Sequence, residues 1–145
     1  AYLRLGKPEH ALNALRRGVD THPENQRLIV ALGRSWLALA ESGKPDLGLP
    51  KALQLLRSIP NVNASSSTLT ALGRALSLSG DIEGASHAFR SATQRFPLEP
   101  TVFLYLAEQA ESRNNRELAN RHRRTYETLT NWIHIPQDQT TLPSG

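Results

Sequence analysis

The chain has 145 residues, enough for one domain with a continuous core. Hydrophobic residues make up 39% and charged residues 21%, the balance of an ordinary soluble globular protein, and no apolar run approaches the roughly 18 residues of a membrane span. Lys and Arg total 17 against 13 for Asp and Glu; the formal charge of +4 permits an acidic partner without demanding nucleic acid, and the absence of Cys excludes disulfides and thiolate metal sites.

Residues 1–6 match 75–80 and are expected to form the end of a helix whose beginning is missing; with no Met in the chain, an excerpt of a longer, further-repeated protein is expected. The first full helix is placed at 8–20, with Pro8 in its first turn, Ala11, Leu15 and Gly18 on one face, and Pro23 beyond its end. A second helix, 26–41, carries Ile29, Leu32, Gly33 and Trp36. Gly43, Pro45, Gly48 and Pro50 then predict a loop over 42–49 that protrudes from the hairpin tip, exposed and mobile. Pro50 opens a helix at 50–59, where Ala52 and Leu56 form the stripe.

The run Ser65-Ser66-Ser67 supplies an N-cap for a helix at 66–79, striped by Leu69, Leu72, Gly73 and Leu76. Gly80 and Asp81 make a turn and a cap for 82–95, where Ala85, Phe89 and Ala92 recur at helical spacing before Pro97. Phe103, Leu106, Ala107 and Ala110 mark a helix at 100–112. The last helix, 115–131, has an apolar line through Leu118, His122 and Leu129 against a basic face of Arg116, Arg121, Arg123 and Arg124. Pro136 and Pro143 argue that 132–145 is a non-helical tail.

The same pattern is thus written several times. Leu69, Leu72, Gly73, Leu76, Gly80, Ala85, Phe89, Ala92 and Pro97 define one copy, and Gly6, Ala11, Leu15, Gly18 and Pro23 repeat its second half. Ala52 to Ala85 is 33 residues, but Gly33 to Gly73 is 40 and Ala11 to Ala52 is 41, so the second copy carries about seven extra residues. A period of about 34 with small residues, Phe and Pro at these places resembles the tetratricopeptide repeat. The pentatricopeptide repeat, with its slightly longer period, fits less well. The likeness spans roughly residues 1 to 130 and weakens in the fourth copy, where Arg123 replaces an apolar residue.

The resemblance implies an all-α solenoid of antiparallel helix-turn-helix repeats wound as a right-handed superhelix. The repeat domain is 1–131, divided into a partial repeat 1–25, a repeat 26–65 with its insertion at 42–49, a repeat 66–99, and a repeat with capping helix 100–131. It also implies that the first helices line a concave, peptide-binding groove. Arg27, Val30, Arg34 and Leu37 would come from the second repeat, Ser67, Thr70, Arg74 and Ser77 from the third, and Thr101, Leu104 and Glu108, followed by Glu111, from the fourth. Arg34 and Arg74 both follow Leu-Gly, so they are expected on one face as a grip for a carboxylate. Val30, Ala71 and Tyr105 stand where the family's chaperone clamp has polar groups, so chaperone binding is not expected.

Enzymatic chemistry finds no support. His10, His22, His87, His122 and His134 lack ligand spacing with acidic neighbours, so no metal and no cofactor is expected. The serine run has no partnered base. The basic cluster at Arg121 to Arg124 has no aromatic platform for nucleic acid and reads as a solvated cap. The expected function is a protein-interaction scaffold that holds an extended or helical peptide of a protein partner in the groove, a partner the charge permits to be acidic, with no nucleic acid and no membrane insertion. The alternative is a structural spacer or assembly module of a larger machine, such as a bacterial envelope secretion or polysaccharide-export protein, contacted through its convex face or loops. Compartment and oligomeric state stay open.

Overall fold

A computed structural model describes residues 8–133; the expected stub at 1–6 and all of the tail past residue 133 lie outside the described residues. The fold is all-α, built of antiparallel helical hairpins, and among the described residues there is no strand. Among the described residues seven helices follow in order: α1 (Pro8–Thr21), α2 (Gln26–Glu41), α3 (Pro45–Arg57), α4 (Ser66–Leu78), α5 (Ile82–Ala92), α6 (Val102–Ser112) and α7 (Arg116–Ile133). A short 3-10 turn, Asn61–Asn63, precedes α4. The packing is densest within the pairs α2 with α3, α4 with α5, and α6 with α7. The chain divides into two compact units at Leu98/Glu99, the first holding α1 to α5 and the second α6 and α7.

All three hairpins turn in the same way. Each connection is three residues long, and its middle residue has positive φ: Gly43 at 110°, Gly80 at 94° and Asn114 at 60°. Glycine and asparagine tolerate this left-handed conformation better than other residues. The third residue's N–H then reaches back five positions, Lys44 to the Leu39 carbonyl, Asp81 to Leu76 and Asn115 to Ala110, so carbonyls left over at the helix end are satisfied. The next helix starts at once. Asp81 accepts from the Gly84 N–H at 2.9 Å and Asn115 from the Leu118 N–H at 3.1 Å. Lys44 makes no side-chain cap, but Pro45 at the first helical position needs no N–H partner. Asn25 and Ser65 cap α2 and α4 in the same manner.

The seven extra residues of the second repeat do not form the loop expected at 42–49. The connection is only 42–44, and residues 45–49 are the start of α3. Measured from the shared small residues, α2 runs to Glu41, eight past Gly33, where α4 runs to Leu78, five past Gly73. In turn, α3 starts seven before Ala52, where α5 starts three before Ala85. Three residues on one arm and four on the other account for the seven, about two turns at 3.6 residues each. Both apolar stripes therefore stay in phase. Pro50, expected in the first turn, sits inside α3. Gly48 explains why so broken a composition is helical: a Cβ there would lie 2.3 Å from the Trp36 carbonyl oxygen and 2.9 Å from the Ala40 nitrogen. The glycine lets the added turn of α3 lie directly on the backbone of α2.

The core of the first unit joins Leu12 of α1, Leu32, Trp36 and Leu37 of α2, Ala52 and Leu56 of α3, and Ala71 and Ala75 of α4. In the α4–α5 hairpin, Phe89 is fully buried over Gly73, where a Cβ would come within 2.5 Å of the ring. Burial of such a ring contributes roughly 1.5–3 kcal/mol. Buried Ser66 donates to the Ala92 carbonyl at 2.8 Å, tying the start of α4 to the end of α5. Among the described residues no buried side-chain nitrogen or oxygen lacks a partner. In the second unit Ala107 and Ala110 of α6 meet Ala119 of α7. Arg123 stands 34 residues after Phe89 and, in place of an apolar plug, forms an ion pair with Glu111 and a hydrogen bond to Asn120.

These contacts separate two glycines of one residue type. Gly48→Ala is expected to destabilise the protein by about 2–3 kcal/mol, because the obstacle is backbone that has nowhere to move. Gly18→Ala meets only the end of Leu28, at 3.3 Å, and is expected to be neutral or to stabilise by up to about 1 kcal/mol through helix propensity. Urea denaturation of the two variants beside the parent checks both; equal midpoints would refute the close packing of α3 on α2.

Candidate functional site

The N-terminal halves of α2 and α4, together with the connection that leads into α4, enclose a cleft of about 430 Å³. Gln26, Arg27, Val30, Ala31 and Arg34 line it from α2, Ile59 and Asn63 from the connection, and Ser65, Ser67 and Thr68 from the start of α4. Helical spacing brings Arg27, Val30 and Arg34 to one face. Four of the expected groove residues, Arg27, Val30, Arg34 and Ser67, thus meet in one place. Among the described residues no carboxylate lines the cleft.

The two arginines differ in how they are held. Arg34 Nη1 donates to Ser67 Oγ at 3.1 Å, which fixes its guanidinium across the gap between α2 and α4. Arg27 is exposed and has no hydrogen bond or ion pair among the described residues. Neither has a carboxylate partner among the described residues, so each keeps donor capacity for an anionic ligand. Ser65 is already engaged, accepting from the Thr68 N–H as the N-cap of α4.

Other expected groove residues lie elsewhere. Leu37 and Thr70, expected on the groove, are instead buried. Leu37 belongs to the core with Ala71 and Ala75, because α4 packs over that part of α2. Thr70 turns its hydroxyl onto the Ser66 carbonyl at 2.8 Å. Arg74 is half-buried, and its Nε meets Glu41 Oε2 at 3.1 Å, so its charge is compensated from within the first unit. Ser77 is half-buried near the end of α4. Thr101, Leu104 and Glu108 lie at the start of or on α6, in the second unit.

Sequence reading missed a second cleft of about 400 Å³ in the first unit. Leu69, Leu72 and Leu76 of α4 line its base between α3 and α5, Leu69 and Leu76 being buried, with Arg57, Asp81 and His87 also lining it. The only signal in the sequence is the leucine stripe itself, which reads equally well as core. On α7, Arg121, Arg124, Thr125, Thr128 and Leu129 form a shallow basic face. Next to it, His122 is half-buried with its ring 6.1 Å from that of Phe103, and burial first, then the charge of Arg121, lowers its pKa below 6.5. Among the described residues no helix is long and apolar enough to cross a membrane, and no three His, Cys, Asp or Glu side chains group to hold a metal.

No family model matches the sequence, and no curated protein is significantly similar to it. Solved structures do match. MamA from MSR-1 is 22% identical with a TM-score of 0.66, covering 91% of this chain and 72% of that one. A MamA RS-1 double mutant is 17% identical with a TM-score of 0.65, covering 93% and 72%. At these identities the likeness concerns the fold, an array of helical hairpins.

Two electrostatic predictions follow from this geometry. The pair Arg74–Glu41 is partly exposed, so a double-mutant cycle with Arg74→Ala and Glu41→Ala is expected to give a coupling of no more than about 1 kcal/mol in stability. For His122 the folded protein disfavours the proton that the unfolded chain takes up at the ordinary pKa. Its contribution to stability is therefore complete above pH 6.5 and is lost as pH falls through the lowered folded value. Urea midpoints taken between about pH 7.5 and pH 5 should fall less steeply for His122→Gln than for the parent. Parallel pH profiles would count against the burial of this imidazole.

Proposed function

We propose that the protein is an interaction scaffold, not an enzyme, and that it holds an extended segment of a protein partner in the α2–α4 cleft. The observation that carries this is the composition of the cleft as the described residues line it: two arginines with no carboxylate partner, hydroxyls and a short apolar floor, and no acidic side chain. Such a surface attracts carboxylates through charge-assisted hydrogen bonds. Val30, Ala31 and Ile59 give the partner's side chains apolar area to bury. The likeness to the MamA fold supports a repeat array as the frame for such a surface.

The apolar cleft between α3 and α5 favours a second role, as a spacer or assembly module gripped from the side of the second helices. Val62 and Phe96, 82% and 87% exposed, add apolar surface to the connections after α3 and after α5. The two roles separate experimentally.

With a partner captured by the intact chain, Arg27→Ala and Arg34→Ala are each expected to weaken binding by roughly 1–3 kcal/mol. Added salt should weaken it further. Arg74→Ala, already neutralised by Glu41, should change it little. Calorimetry on the three variants checks this. Wild-type affinity in the double Arg27→Ala, Arg34→Ala variant would remove the cleft from the site and leave the spacer role as the better account.

A further inference from the structure

The α4–α5 and α6–α7 hairpins follow one design 34 residues apart: Ala107 stands where Gly73 does, Ala110 for Leu76, Ala119 for Ala85 and Arg123 for Phe89. Two of these differences take apolar bulk out of the stretch between the middle of the hairpin and its turn. In α4–α5 that stretch holds Leu76 and the Phe89 ring, both buried. In α6–α7 it holds the buried Ala107, Ala110 and Ala119, with Leu118 packed against them. An aromatic contact of this hairpin lies toward its other end, where the ring centroids of Phe103 and His122 are 6.1 Å apart.

Charge takes the place of the missing bulk. Arg123 pairs with Glu111 across the two helices and donates from Nη1 to Asn120 Oδ1 at 3.3 Å. The two side chains of the pair are 39% and 50% exposed, where Phe89 is 1% exposed. The arms around the pair carry opposite signs. On α6 stand Glu108 and Glu111 with no Lys or Arg, and on α7 Arg116, Arg121, Arg123 and Arg124 outweigh Glu117 and Glu127. A buried ring holds two helices together by leaving water, and moderate salt does not weaken that. An ion pair open to solvent contributes little and is screened as salt rises.

We infer that the Arg123–Glu111 pair is an ionic latch, and that the α6–α7 hairpin opens and recloses under native conditions by itself, at a frequency that ionic strength sets, while α4–α5 stays closed. The latch is independent of the α2–α4 cleft and of what binds there. Both of its helices belong to the second compact unit, so they can open locally without unfolding the first. Opening uncovers the stripe of Ala107, Ala110 and Ala119 and frees Arg123. A carboxylate that competes with Glu111 for Arg123 acts on the same latch as salt does.

Hydrogen–deuterium exchange of the full chain, read peptide by peptide by mass spectrometry, compares the two hairpins in one sample. Amides of α6 and α7 should exchange faster than those of α4 and α5. Raising NaCl from about 0.02 M to about 0.5 M should speed α6 and α7 by about threefold to fivefold, and α4 and α5 by less than about twofold. Glu111→Gln should speed α6 and α7 at low salt and remove most of their salt response. The reversed pair, Glu111→Arg with Arg123→Glu, should restore the parent's behaviour. Arg123→Phe, which writes the plug of α5 into α7, should slow α6–α7 exchange by about tenfold or more and leave it indifferent to salt; Arg123→Leu serves the same purpose if the added ring prevents folding. Equal protection of both hairpins in the parent would overturn the separate opening. Exchange in Glu111→Gln that matches the parent at both salt concentrations would overturn the latch.

Discussion

A helical hairpin of this length has one apolar side on each arm and no way to cover both alone. What allows the arms to close is the near contact of their backbones, and every hairpin here places its smallest side chains where the helices come together. Gly48 lies on the Trp36 carbonyl, Gly73 receives the Phe89 ring, and Ala107 meets Ala119. Closeness at these points fixes the rotation of each helix about its own axis. That rotation in turn decides which residues of α2 and α4 are core and which face the cleft. Trp36 and Leu37 go inward with Leu32, and Arg27, Val30 and Arg34 are left to line the cleft.

Much of this can be read locally. A positive-φ residue followed by a capping side chain is a signal contained in two or three letters, so Gly80-Asp81 predicts its turn without help from the rest of the chain. Small residues recurring near the middle of each arm are equally local. The α2–α3 connection was harder because Gly and Pro carry two meanings. Pro45 opens a helix and Gly48 permits contact with another helix, yet the same letters in another setting are a loop. The atom that gives Gly48 its purpose, the Trp36 carbonyl oxygen, becomes its neighbour only once the hairpin has closed.

The site shows the same divide. The repeat resemblance assigned Arg27, Val30 and Arg34 to the groove side of α2, and helical spacing keeps the three on one face. It also put Leu37 on the groove, since an angular position on an isolated helix cannot tell how far along its length a neighbour will cover it; Ala71 and Ala75 do the covering. Partners distant in sequence were not legible. Arg34 with Ser67 and Arg74 with Glu41 are each separated by 33 residues, and each bond crosses between α2 and α4. The expected equivalence of Arg34 and Arg74 thus dissolves: one guanidinium is neutralised by a carboxylate and the other is offered to the cleft.

The way the second hairpin absorbs its additional length bears on how such arrays vary. A helix lengthened by one or two residues rotates everything beyond the change by about 100–200° and turns its stripe away from its neighbour. Lengthening the two arms by three and four residues, about one turn each, with the three-residue connection and its left-handed residue untouched, returns each stripe to within about 60° of its place. Hairpin height is therefore quantised, in steps of about seven residues shared between the two arms. A repeat can grow taller than its neighbours without disturbing the spacing at its base. An added stretch of a different length would have to be spent as irregular chain at the tip, where the three-residue turn now stands.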